Sequence, residues 1–339
     1  MKKSVFLGAL TVAGLAAGVA SAATLDDVKA RGSLNCGVTT GLVGFAAPDA
    51  NGVWEGFDVG VCRAVAAAIF GDPTAVEFVP TTGKTRFTAL ASGEIDLLAR
   101  NTTWTMSRDV DLAFEFVGVN YYDGQGFMVP KDLGVSSAKD LDGATVCIQT
   151  GTTTELNLAD FFRTNGISYE PVPIETNAEA QQQYLAGACD VYTTDASGLA
   201  ATRATFEAPG DHVLLPEIIS KEPLGPLVRH GDNEWGDIAR WTLNALITAE
   251  ELGITSANIA ELSAAATNNP EVNRILGTES NLGEQLGLSA DWAKNAIAAG
   301  GNYGELFEKN IGESTPIGLA RGLNAMWTEG GLIYSPPFR

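Results

Sequence analysis

The residues best suited to chemistry fall in three short stretches. The first, Arg100-Asn101-Thr102-Thr103-Trp104-Thr105-Met106-Ser107-Arg108-Asp109, places Arg108 five positions after Thr103. A guanidinium stays cationic at physiological pH and offers a carboxylate a planar fork of donors. Thr103 can add a hydroxyl or a backbone group. Alone, an arginine beside Asp109 reads more readily as a surface ion pair. The second stretch, Gln149-Thr150-Gly151-Thr152-Thr153-Thr154-Glu155, joins a strand to a helix. Its glycine permits close backbone approach, and the free N–H groups of a helix start make an anion seat. The same residues also read as an N-cap with Glu155 completing a capping box, and the two roles are compatible. The third, Tyr192-Thr193-Thr194-Asp195-Ala196-Ser197, sets Asp195 at a strand end, where it can pair with an ammonium or cap the following helix. Arg108, the Thr152–Thr153 amides and Asp195 together supply complementary charges for a small zwitterion. No G-x-S-x-G, no Cys–His pairing and no metal-ligand spacing accompanies them, and the histidines are only His212 and His230. The chemistry is that of binding rather than turnover, with no cofactor and no metal expected.

Positioning such groups takes two α/β lobes. A strand at Leu34–Val38, a helix from Phe57 to about Phe70, a strand at Val76–Pro80, a helix near Arg86–Ser92 and a strand from Ile95 form one round, with a largely parallel sheet expected. The first stretch follows that third strand, where ligand sites of open α/β sheets gather. A second round runs through Ala144–Gln149, a helix to about Thr164, Glu170–Pro173, a helix near 178–186 and Asp190–Thr193. The glycine-containing segments 120–126 and 222–228 read as two hinge crossings able to absorb backbone rotation. Helices at 234–252 and 290–299 then form a C-terminal extension packed back on the first lobe. The expected division is 24–121 with 227–339 for lobe 1, and 122–226 for lobe 2.

Met1-Lys2-Lys3, an apolar run from Val5 to Ala20 and the small residues Ser21-Ala22-Ala23 have the three-part pattern of a secretory signal peptide, so residues 1–23 are set apart from the fold. No later run approaches the ~20 apolar residues of a membrane helix, and a soluble exported chain is expected. A formal net charge of −20, scattered rather than blocked, argues against nucleic acid and anionic lipid as partners. Four cysteines in an oxidising compartment suggest two disulfides, with three connectivities open in principle. Cys36–Cys62 with Cys147–Cys189 keeps each bridge inside one lobe, whereas any mixed pairing staples the lobes together.

These stretches, with Gly56-Phe57-Asp58-Val59, Leu141-Asp142-Gly143 and Gly187-Ala188-Cys189-Asp190, resemble the polar amino-acid family of periplasmic binding proteins. Arg100 to Thr105, Tyr121-Tyr122-Asp123-Gly124-Gln125-Gly126-Phe127-Met128-Val129, Tyr192 to Asp195, and Ala320-Arg321-Gly322-Leu323-Asn324-Ala325-Met326-Trp327 narrow the resemblance to its general L-amino-acid-binding branch. The resemblance implies a two-lobed type II periplasmic binding protein, a Venus-flytrap, that is monomeric, closes over its ligand and docks on an inner-membrane ABC permease. Carried over by position, Arg108 and Thr103 hold the ligand α-carboxylate with the Thr152–Thr153 backbone, Asp195 holds the α-ammonium, and Asn101 adds a polar contact. Arg86 matches a position that faces a side-chain carboxylate in acidic-amino-acid members, which brings glutamate, glutamine and aspartate among the ligands. Thr39 stands where relatives are often acidic, Leu42 where many place a ring, and Gln149 where some have lysine, and these departures imply broad specificity. The alternative is a dehydratase-like enzyme on the same scaffold. It needs a carboxylic acid to protonate a leaving hydroxyl, and the only candidate, Asp195, is claimed by the ammonium.

Overall fold

The structure, a computed structural model, describes residues 23–339. The signal-peptide reading therefore falls on residues outside the described part, apart from Ala23.

Leu34–Thr39 is an interior strand of the first, five-stranded sheet and is buried along almost its whole length. It pairs in parallel with Val76–Thr81 on one side and Leu97–Leu98 on the other. Helix Phe57–Phe70 and helix Arg86–Ser92 make the two crossovers. Phe57–Phe70 begins at Gly56, with φ +134°, where a Cβ would lie 2.2 Å from the Phe45 carbonyl oxygen, so only glycine fits that approach. The helix ends at Gly71 in the left-handed conformation, its N–H donating to Ala67 O.

Beyond Leu97–Leu98 the sheet continues with Leu227–Arg229 and Phe114–Phe116, both joined antiparallel. The sheet is thus mixed rather than largely parallel. The physical reason is the return path: Leu227–Arg229 enters from the second lobe and runs opposite to strands fed by right-handed crossovers. The second sheet repeats the design in the order Tyr169–Ile174, Ala144–Gln149, Val191–Asp195, Gln125–Pro130, His212–Leu214, parallel among the first three and antiparallel beyond.

Between the sheets, Tyr121–Asp123 and Glu222–Leu224 lie side by side as a two-stranded antiparallel ribbon, with Glu222 opposite Asp123. The C-terminal helices Asn233–Glu251, Trp292–Gly300 and Tyr303–Asn310 bury Trp235, Ile297 and Phe307 in the same core as Val65 of helix Phe57–Phe70. From there the extension reaches the crossing ribbon: Tyr303 Oη donates to Asn120 O at 2.9 Å, and Asn324 brackets Tyr122 through its N–H (2.6 Å) and carbonyl (3.1 Å). Cys36 is joined to Cys62 and Cys147 to Cys189, across sequence separations of 26 and 42. Loops of that length contribute about 3.5 and 4 kcal/mol in the chain-entropy treatment.

Candidate functional site

The cleft between the two sheets is lined from the first lobe by Thr39, Leu42, Arg86, Arg100, Asn101 and Thr103, and from the second by Gln149, Thr152–Thr154, Asn177, Thr194, Asp195, Ser197 and Gly198. The lobes touch across it. Asn177 Nδ2 donates to Gly41 O at 3.0 Å, and the exposed pair Lys84–Glu175 spans the mouth at 2.8 Å. A Cβ added to Gly83 would lie 2.7 Å from Thr150 O, so this glycine allows the two backbones to meet. The conformation is closed.

On the first-lobe wall the chain leaves strand Leu97–Leu98 and turns at Asn101, a non-glycine residue at φ +38°. Asp58, buried at the start of helix Phe57–Phe70, holds this turn by accepting from the Asn101 N–H and from Asn120 Nδ2, both at 3.3 Å. Burial pushes the Asp58 carboxyl up to about 6, against the pull of those donors and of Arg100. The Asn101 side-chain oxygen is buried with no partner among the described residues. Arg100 donates its Nε to Thr81 O at 2.9 Å, and among the described residues its two terminal nitrogens have no acceptor. Burial lowers Arg100 to about 10, which leaves it cationic at neutral pH.

Arg108 sits in a π-helical turn, Ser107–Asp111. Its guanidinium donates to Thr103 O at 2.8 Å and lies 5.2 Å over the Phe87 ring. It supports the Thr103 backbone from behind and is not among the lining residues. Arg86 donates to Thr102 Oγ1 at 3.2 Å and, across the cleft, reaches Gly151 O at 3.5 Å, while its Nε has no partner among the described residues. Burial and the neighbouring Arg100 and Arg108 lower its pKa well below the ordinary range.

On the second-lobe wall Thr152 caps helix Thr153–Asn165, accepting from Glu155 N–H at 3.3 Å and donating to Gln149 O at 2.6 Å. Glu155 reaches back to the Gly151 N–H at 3.0 Å rather than to the Thr152 N–H, so Thr152 caps the helix but the expected capping box is not completed. The amides of Thr153 and Thr154, in the first turn, have no protein acceptor among the described residues and belong to the anion-attracting end of the helix.

Asp195 occupies the N-cap position of helix Ala196–Arg203, yet its side chain makes no capping bond. The cap is supplied from the crossing ribbon instead. Ala196 N–H donates to Gly124 O at 2.8 Å, Ser197 N–H points at both Asp123 carboxylate oxygens at 3.4 Å, and Ser197 Oγ donates to Asp123. Asp195 is thereby left without a donor among the described residues, facing the cleft. Burial first, then the charges of Asp123 and Glu222, hold its carboxyl well above the usual carboxylate range, opposed by Arg86 and Arg108. Asp123 itself is pushed up to about 6 by burial, against its hydrogen bonds from Ser197 and Gly124.

Glu222, buried in the ribbon, joins both walls: one oxygen accepts from Thr103 Oγ1 of the first lobe and Thr153 Oγ1 of the second (2.9 Å), the other from Asn157 Nδ2 (2.7 Å) and Ser220 Oγ (2.6 Å). Of the residues expected from sequence, Arg86, Asn101, Thr103, Thr152, Thr153 and Asp195 therefore meet at one cleft, and Arg108 stands behind it. Arg100, Asp123 and Glu222 had been given no role. Arg100 was legible as the first polar residue after a strand end, whereas nothing local marks Glu222.

The arrangement is an unpaired carboxylate facing unpaired cationic and amide donors across two lobes. A model of the bacterial extracellular solute-binding proteins, family 3, matches residues 34–258. The chain belongs to that family. It is 68% identical over the full length of both chains to the glutamate/glutamine/aspartate/asparagine-binding protein BztA of Rhodobacter capsulatus. It is 58% identical, again over both full lengths, to the general L-amino acid-binding periplasmic protein AapJ of Rhizobium johnstonii. Among solved structures, a periplasmic binding protein of an ABC transporter from Brucella ovis with glutathione bound superposes with a TM-score of 0.91 at 56% identity, covering 94% of this chain and all of the other. The two-lobed type II binding-protein fold is thus common to this chain and its family. Among the described residues no three His, Cys, Asp or Glu side chains gather as a metal site.

Proposed function

We propose that the chain is a periplasmic receptor that captures L-amino acids of broad range, glutamate, glutamine and aspartate included, and delivers them in its closed form to an inner-membrane ABC permease. The observation that carries this reading is Asp195: a half-buried helix-start carboxylate kept from capping its own helix and left unpaired in the cleft. Carboxylates are buried without partners only where something else supplies the charge, and an α-ammonium is that charge. The Thr103 hydroxyl and the unpaired Asn101 oxygen stand beside it. The ligand α-carboxylate then falls to the free Thr153–Thr154 amides and the helix start, with Thr103 held in register by Arg108. Arg86, which spans the cleft to Gly151, adds positive charge beside the ligand.

Contacts from both lobes to one ligand favour the closed form over the open one. Micromolar affinity requires about −8 kcal/mol, within reach of several charge-assisted hydrogen bonds in a closed cleft. No acid is free to protonate a leaving hydroxyl once Asp195 has paired, so binding without turnover is the reading. The names of BztA and AapJ support it, and the Brucella complex fits as well, since glutathione carries an amino-acid head on its γ-glutamyl group. Calorimetric titration of ligand-stripped protein with glutamate, glutamine, aspartate, alanine, leucine, glutathione and a sugar tests it. Micromolar binding of several amino acids and none of the sugar is expected. Silence for all the amino acids would refute it, and dehydration of prephenate or arogenate would overturn the non-enzymatic part.

A further inference from the structure

We infer that Arg100 is the residue that reads the ligand side chain, receiving a terminal carboxylate or amide oxygen on its free guanidinium edge. The inference rests on the amino-acid reading above and deepens it. Arg100 leaves the end of strand Leu97–Leu98 and donates Nε to Thr81 O, at the end of strand Val76–Thr81. In the sheet these two strands flank Leu34–Thr39. The side chain therefore reaches across one intervening strand end, roughly 10 Å from its own strand to the far one. Thr103 lies on the opposite flank, bridged to Leu224 of the crossing ribbon. An amino acid whose α-groups are held by Thr103, Asp195 and the start of helix Thr153–Asn165 extends its side chain along the strand ends toward Arg100.

The three buried arginines differ in what they have left to give. Arg108 spends one terminal nitrogen on Thr103 O and does not line the cleft, and the Arg86 fork is divided between Thr102 and Gly151. Arg100 alone among the three spends its Nε on the protein, lines the cleft and keeps both terminal nitrogens without an acceptor among the described residues. It is 93% buried, with a relative exposure of 7%. A cation so enclosed, with its bidentate edge unused, matches a carboxylate better than an apolar side chain. Gln149 and Asn177 of the second lobe line the same cleft and can satisfy the amide of glutamine or the second oxygen of glutamate.

The test is titration of wild-type, Arg100→Met and Arg100→Lys proteins, stripped of ligand, with glutamate, aspartate, glutamine and alanine, alongside thermal melts. Arg100→Met is expected to lose about 100-fold in glutamate and aspartate affinity, the effect of removing one partner of a buried charge pair. Glutamine should lose less and alanine should stay within about threefold, while Arg100→Lys recovers part of the acidic preference. If Arg100→Met does not fold, the lysine variant alone decides, through a glutamate-to-glutamine ratio expected to fall at least several-fold with the loss of the bidentate edge. An equal loss for all ligands, or an unchanged ratio, overturns the assignment while leaving amino-acid binding intact. Absence of amino-acid binding in the wild type would instead remove the reading beneath it.

Discussion

Replacing Asp195 with asparagine isolates the charge proposed to hold the ligand ammonium. The substitution keeps size and disturbs no protein hydrogen bond among the described residues, because the helix cap is made by Asp123 and Gly124. What it removes is the carboxylate opposite the α-ammonium. Truncating one member of a buried charge pair costs 2–5 kcal/mol, and about 3 kcal/mol corresponds to roughly 150-fold in Kd. The pH dependence adds a second signature. Burial, Asp123 and Glu222 hold the Asp195 carboxyl well above the ordinary carboxylate range in the ligand-free protein. A bound ammonium favours the charged form and draws that pKa down. Capture in the window between the two states therefore releases a proton, and affinity falls as pH falls through the ligand-free pKa, by up to tenfold per pH unit. Above that pKa the affinity should be flat in pH. Calorimetric titration from pH 5 to 8, in two buffers of different ionisation enthalpy, counts the protons directly. The wild type should release close to one at the acidic end, and Asp195→Asn should bind about 150-fold more weakly with that release gone. A variant that binds within threefold of wild type and releases the same proton would refute the role of Asp195.

Two further outcomes follow from the closed geometry. Gly83→Val sets carbon atoms where Thr150 O and the Thr152 methyl already lie, 2.7 and 3.1 Å from even a Cβ, so it should prop the cleft open. Affinity is expected to drop at least tenfold, and small-angle X-ray scattering should show no ligand-induced contraction. Glu222→Gln leaves one acceptor oxygen where two carboxylate oxygens now receive four donors, and turns an NH2 toward hydroxyls or toward Asn157. A loss of about 1–3 kcal/mol in stability, read by denaturant melts, should accompany weaker binding of every amino acid alike.

Much of the fold was legible because its signals are local. Strand-helix alternation announced two α/β lobes, and confining each disulfide to one lobe selected Cys36–Cys62 and Cys147–Cys189, the bridges found. Thr152 carried the helix start in its position, and the structure uses it as the cap, while Glu155 turns to the Gly151 amide instead of completing the box. The antiparallel half of each sheet was not legible, since it depends on where the chain re-enters after visiting the other lobe.

The sequence by itself determined which residues stand at strand ends and helix starts, and hence that Asn101, Thr103, Thr152 and Asp195 would be near a cleft. Only the tertiary structure decided what each side chain does there. Asp195 could cap its own helix or face a ligand, and the choice was made by Asp123, 74 positions before the Ser197 amide it accepts from. Likewise Glu222 meets Thr103 across 119 positions, and Arg108 turns one terminal nitrogen onto a backbone carbonyl. The physical reason is that a polar group's role is fixed by which partners reach it first, and those partners arrive from distant parts of the chain, beyond any local pattern of residue types.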